Sequence, residues 1–158
     1  MMTPLYLKTS GDTETILPVT INLEGKGLAL FEINGSYQTD YTGPMYLCCD
    51  VVDPSIVGNM LLPVLRQLQM VVPASIKKKR LGQSVPRRLK QEEDRQTPVW
   101  RINEMFAKPI YVSCLRKEVT NFRLYLLGKD GNTPSLVKCR LNCTLLPAWN
   151  KYSSKGWQ

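Results

Sequence analysis

Nucleophilic and acid–base chemistry in this sequence would have to come from five cysteines and thirteen carboxylates, because the chain holds no histidine. Without an imidazole, triads and most general-base or metal-assisted schemes lose their usual participant. A cysteine nucleophile needs a base or an electropositive setting to become a thiolate. Cys114 precedes Leu115-Arg116-Lys117 and is the thiol best placed for such activation. The competing reading, preferred here, makes it an ordinary residue of an alternating strand. Cys48, Cys49, Cys139 and Cys143 form no Cys-x-x-Cys pair, so a zinc site would need thiolates from scattered positions. Glu92, Glu93 and Asp94 sit together where no rigid element would hold them at a working separation. Asp50 and Asp53 flank Val51-Val52 ahead of Pro54, and Asp53 is expected to accept a backbone N–H in an Asx-type turn. The glycines form neither a G-x-x-x-x-G-K-[ST] nor a G-x-G-x-x-G phosphate loop. The expectation is a protein that is not an enzyme, with no catalytic residues, metal or cofactor.

One stretch differs from the rest. "IKKKRLGQSVPRRLKQEEDR" runs from Ile76 to Arg95. Lys77, Lys78, Lys79, Arg80, Arg87, Arg88, Lys90 and Arg95 face only three acids within it, so it holds +5 of the net +8. The remaining chain has 13 basic and 10 acidic residues and is nearly balanced. Such local basicity points to one segment facing an anionic partner. The stretch has few apolar residues and is bounded by Pro73 and Pro98, which predicts a long mobile loop at 74–97. It holds no aromatic residue before Trp100, so base stacking is poorly supported, while phosphate neutralisation through Lys77 to Lys90 is not. A solvated loop, or a localisation signal read from "KKKR", competes with that reading.

Elsewhere the apolar period is that of strands. "PLYLKT" puts Leu5 and Leu7 on one face, and "LPVTINL" does so with Val19, Ile21 and Leu23. "GLALFEINGSY" is apolar on both faces up to Glu32 and reads as a central strand. "GPMYLCCDVVDP" is another strand, and "MLLPVLRQLQMVV" is ambiguous, with a strand favoured from Leu65 onward. In "FRLYLL", Phe122, Leu124 and Leu126 share a face; "SLVKCRLNCTLL" puts Val137, Cys139, Leu141, Cys143 and Leu145 inward and Lys138, Arg140, Asn142 and Thr144 outward. With Asp130-Gly131 between them, these two segments read as a hairpin. About eight short strands and no long helix predict one all-β domain over 1–158, a sandwich or small barrel, with an eight-stranded jelly roll fitting best.

The start, "MMTPLYLKTSGD", lacks the basic head and apolar run of a secretory leader, and no stretch reaches the roughly 18 apolar residues of a membrane span. Free thiols in a reducing compartment and no membrane partner are expected. The sequons at Asn34 and Asn142 then read as chance matches.

"MYLCCDVVDPSIVGNMLLPVLRQL", Met45 to Leu68, resembles a segment of minor capsid proteins of Polinton/Maverick elements, adintoviruses and adomaviruses. The resemblance lies in Asp50, Asp53, Pro54, Val57, Gly58, Asn59, Pro63, Leu65 and Arg66. Downstream, "KPIYVSCLRKEVTNFRLYLLGKDGNTPSLVKCRLNCTLL" is similar to the family's ending, and "NLEGKGLALFEINGSY" to an early strand, although Gly27 stands where the family has tryptophan. The resemblance implies a penton-type single jelly roll, a homopentamer closing icosahedral vertices beside a double-jelly-roll major capsid protein. It also implies assembly in the host cell, in the nucleus, and a final place in the virion. The basic loop would then contact packaged DNA non-specifically, or a neighbouring subunit. The turn at Asp53, Pro54, Val57, Gly58 and Asn59, and the strand edges near Tyr111, become candidate contact elements. Two alternatives stand beside this: a small basic β-barrel binding nucleic acid through residues 77–95, and a trimeric cement or fibre-like virion protein.

Overall fold

The computed structural model describes residues 3–68 and 99–149. These residues contain no helix and form eleven strands. In chain order they are β1 (Leu5–Thr9), β2 (Asp12–Asn22), β3 (Lys26–Gln38), β4 (Met45–Cys49), β5 (Ser55–Val57), β6 (Met60–Leu62), β7 (Val64–Leu68), β8 (Val99–Met105), β9 (Val112–Ser113), β10 (Glu118–Gly128) and β11 (Val137–Trp149). The fold is all-β and its strand pairs are antiparallel. One sheet has the order β1-β11-β3-β8, with β9 also on β3; the second has the order β2-β10-β4-β7; β5 and β6 form a separate hairpin. Two separate sheets, not a closed barrel, carry the described chain. The expected basic loop at 74–97 lies outside the described residues.

Alternation explains the packing. Leu7, Ile33, Leu141, Cys143, Trp100 and Ile102 point inward from the first sheet, and Leu47, Leu65, Phe122, Leu124 and Leu126 from the second. All belong to one buried cluster, as in two sheets stacked face to face. Each fully buried Leu or Phe side chain contributes about 1.5–3 kcal/mol by leaving water. Two buried polar groups show how the interior is tied together. Thr9 Oγ1 of β1 donates to the Leu124 carbonyl of β10 at 3.2 Å, and accepts from the Gly11 N–H at 3.1 Å. The Trp100 indole N–H donates to the Thr39 carbonyl at 3.2 Å.

"GLALFEINGSY" lies in β3 and is central: β11 pairs one side of it, β8 and β9 the other. The ambiguous segment holds two strands, Met60–Leu62 and Val64–Leu68, so strand begins before the expected Leu65. Three expectations need correction. The segments around Asp130-Gly131 are not a hairpin: β10 pairs with β2 and β4, while β11 pairs with β1 and β3. The Asp130 side chain caps the turn at Asn132, and the chain then crosses to the other sheet. Val19 does not share a buried face with Leu23. Ile16 pairs with Asn121 and Ile21 with Val119, so residues 17–20 oppose Thr120 alone; within this bulge Leu17 packs against the core while Val19 is left exposed. Pro18 is accommodated there because β2 is an edge strand. Val137 is likewise half exposed, since Lys138, at φ 52°, begins a bulge before Cys139 resumes the inward face.

Gly35 has φ +145°, and a Cβ there would overlap the Arg140 carbonyl and lie 2.9 Å from the Leu141 Cα. No other residue fits that approach of β3 to β11. Gly58, at φ +62°, has open space around it. Gly35→Ala should therefore lower stability by roughly 2–3 kcal/mol, and Gly58→Ala by only about 1 kcal/mol. Urea unfolding midpoints check this; equal midpoints for the two variants would mean that the close approach adds nothing to the cost of positive φ.

Candidate functional site

The residues singled out around Asp53 fold into the β5–β6 hairpin. Asp53-Pro54 leads into β5, Gly58 and Asn59 form its two-residue loop, and Val57 pairs with Met60. A glycine with positive φ at the first loop position suits a tight hairpin turn. The hairpin is held at its base by the main chain. The Asp53 N–H donates to the Ser113 carbonyl at 2.8 Å, the Leu115 N–H to the Val51 carbonyl at 2.7 Å, and the Cys49 N–H to the Pro63 carbonyl at 3.0 Å. The carboxylate that anchors this corner is that of Asp50, not the expected Asp53. Asp50 accepts the Arg123 backbone N–H at 2.9 Å and an Arg116 guanidinium N–H at 3.1 Å. Sequence reasoning saw two aspartates before a proline; it had no means of seeing that β10 lies beside the first.

These bonds bring the two candidate contact elements together. Asp53, Pro54 and Val64 line one wall of a shallow groove, and Ile110, Tyr111 and Val112 the other. Arg66 closes one end, stacked over the Phe106 ring at 4.0 Å. Apolar side chains surround this corner on the outside. Ile56 and Leu61 are cross-strand partners on the hairpin, 79 % and 65 % exposed, and Ile110, Tyr111 and Leu115 are also exposed. Single exposed apolar residues are ordinary; a group on mutually hydrogen-bonded segments is the usual mark of a contact surface. Lys77, Lys78, Lys79, Arg80, Arg87, Arg88 and Lys90 lie outside the described residues.

The thiols are not set up as nucleophiles. All five are unpaired cysteines; four are buried and Cys114 is half-buried. Burial pushes Cys48, Cys49 and Cys143 up to about 12 and Cys139 to about 11. Cys114 rises to about 11, through burial first and the Asp53 charge second, so its cationic sequence neighbours do not activate it. Among the described residues no three His, Cys, Asp or Glu side chains are grouped to hold a metal ion. On the outer face of the second sheet, Arg123 grips Asp12 with two bonds of 2.9 and 2.8 Å and holds its carboxyl below the usual range. That pair is surface-exposed and contributes little to stability. No protein-family model matches this sequence, and neither does any curated protein.

The raised thiols carry a pH prediction. Folding favours their protonated form, so the unfolded chain loses protons first as pH rises above about 9, and stability falls with pH from there. Below pH 9 their contribution is intact; it disappears as pH passes through 11–12. Urea midpoints should be flat for this term between neutrality and about pH 8.5, then decline, and Cys143→Val should decline less steeply. A midpoint independent of pH up to about 11 would contradict the burial of the thiols.

Proposed function

We propose that this protein is a structural, non-catalytic capsid subunit: a single jelly roll of penton type that assembles with copies of itself. The observation that carries the reading is the strand order. Leaving aside the two-residue β9, the eight other strands of the two main sheets read first–eighth–third–sixth and second–seventh–fourth–fifth. Nested antiparallel pairing of early with late strands, split between two sheets, supports a jelly roll built from two Greek keys. The resemblance of Met45–Leu68 to minor capsid proteins supports the same reading, as does the exposed apolar corner. A double-jelly-roll major capsid protein is the proposed neighbour and the virion the proposed location, with assembly in the host cell.

A ring of identical subunits closes through heterologous contacts, so each subunit offers two different patches. The Ile56–Leu61 hairpin face is the proposed first patch, and the groove between Val64 and Tyr111 the second. Native mass measured at low and at physiological salt should give a discrete pentamer. A trimer would favour the cement or fibre-like reading, and a monomer at all concentrations would remove the assembly reading. Ile56→Asp combined with Leu61→Asp should shift the mass to monomer while leaving the far-UV spectrum unchanged, because both side chains are already in water in the single subunit. Retention of the assembly by this variant would exclude the hairpin as a contact.

A further inference from the structure

We propose that the outward face of the five-stranded sheet, carrying Lys8, Arg101 and Arg140, is a docking surface for the phosphate backbone of nucleic acid. The inference rests on strand register and is independent of the assembly reading. Three rows of outward side chains cross the sheet. Arg140, Ser36 and Arg101 align on β11, β3 and β8. Lys8, Asn142, Asn34 and Asn103 align on β1, β11, β3 and β8. Tyr6, Thr144, Glu32 and Met105 form the third row. Glu32 is the one carboxylate in these rows. The bulge at Lys138 adds a further exposed cation beside Arg140.

None of Lys8, Arg101, Lys138 and Arg140 is ion-paired among the described residues, whereas Arg116, Lys117 and Arg123 all are. The opposite sheet presents Asp12 and Glu14 beside Arg123, whereas the three rows set Lys8, Arg101 and Arg140 against Glu32 alone. Arg140 and Arg101 lie two strands apart, about 10 Å. That separation lets them meet different phosphates, with Ser36 between them and the Asn142, Asn34 and Asn103 amides in the adjacent row; Asn142 already donates one N–H to Asn34 at 3.2 Å and Asn34 one to Glu32 at 3.4 Å, and each amide has a second N–H to offer. At the β1 end the face becomes concave. Lys8, Arg140 and Asn142 line a pocket together with the Ser10 and Thr13 hydroxyls, which are 3.0 Å from each other. Thr9, Cys139 and Leu141 complete its lining, and the cations, hydroxyls and amide around it are donors suited to a phosphate. The three rows hold no aromatic side chain beyond Tyr6, so the surface would read charge and shape, not base sequence.

The test is the salt dependence of binding to a mixed-sequence DNA duplex by the full chain, followed by fluorescence anisotropy between about 50 and 200 mM salt. Lys8→Gln, Arg101→Gln and Arg140→Gln together should lower the log–log salt slope by about 2–3, since each neutralised phosphate accounts for about 0.9 of it. A control with the same net charge, Lys108→Gln, Lys117→Gln and Lys129→Gln, should leave the slope at the wild-type value. Residues 77–95 are intact in both variants, so their contribution cancels. An equal slope for the first variant and wild type, an equal decrease in the control, or no binding by wild type at low salt would each overturn the proposal. Native mass of the same variants separates this outcome from any failure of assembly.

Discussion

The ladder between β3 and β11 is the constraint on which the described structure depends. It joins two thirteen-residue strands from distant parts of the chain, Lys26–Gln38 and Val137–Trp149. The other members of that sheet attach to one of these two strands: β1 to β11, and β8 and β9 to β3. Its register is interrupted twice, between Val137 and Arg140 and between Thr144 and Leu145. The first adds its extra residue to β11, ahead of Cys139; the second adds it to β3, where the inward positions pass from Ile33 to Leu30, so Cys139, Leu141, Cys143 and Leu145 all stay inward. Gly35 permits the first of them, because only a residue without a side chain lets the β11 backbone approach so closely. A long-range ladder of this kind repays its loop-closure entropy late, which is a reason to expect slow folding.

What the sequence disclosed follows from what alternation encodes. Period two shows which side chains share a face, and it placed the inward residues of β10 and β11 correctly apart from Val137 at the bulge. It does not encode partners. Phe122–Leu126 and Cys139–Leu145 read as the arms of a hairpin because both alternate and a turn sequence separates them. In fact each pairs with strands elsewhere in the chain, and the turn carries the chain between sheets. The same blindness hid the role of Asp50, whose partners Arg116 and Arg123 are 66 and 73 residues away. The hairpin at Gly58-Asn59 was half legible: the resemblance marked Asp53 to Asn59 as one turn, whereas Ser55–Val57 is already strand, and the outward pairing of Ile56 with Leu61 runs against the usual pattern of polar residues outside. A departure of that kind is where a surface meant for contact differs from one meant for water.

Charge was also half legible. Lys138, Arg140 and Asn142 could be assigned to a wet face from their spacing alone, and Lys8 to the side opposite Leu7. What could not be read is that β1, β11, β3 and β8 lie side by side and bring these groups into register with Arg101. The conspicuous basic run from Lys77 to Arg95 drew attention from cations that are individually unremarkable. Their number is small, and the free energy of three phosphate contacts in physiological salt is modest.

Repetition would change that balance. The proposed ring contacts lie at the β5–β6 hairpin and the β7–β9 corner, whereas the proposed phosphate-facing rows lie on the outward side of the first sheet. The residues argued for the two roles do not overlap, so occupying one surface leaves the other's side chains free. In a closed ring every subunit would present the same three cations in a fixed relation to its neighbours. A polyanion engaged by one subunit then meets the next at high effective concentration, and weak contacts sum without any new bond. On this argument assembly would strengthen a phosphate affinity that each chain already carries, and it links the two surfaces: a polyanion that spans neighbouring subunits must, by reciprocity, favour the assembled state.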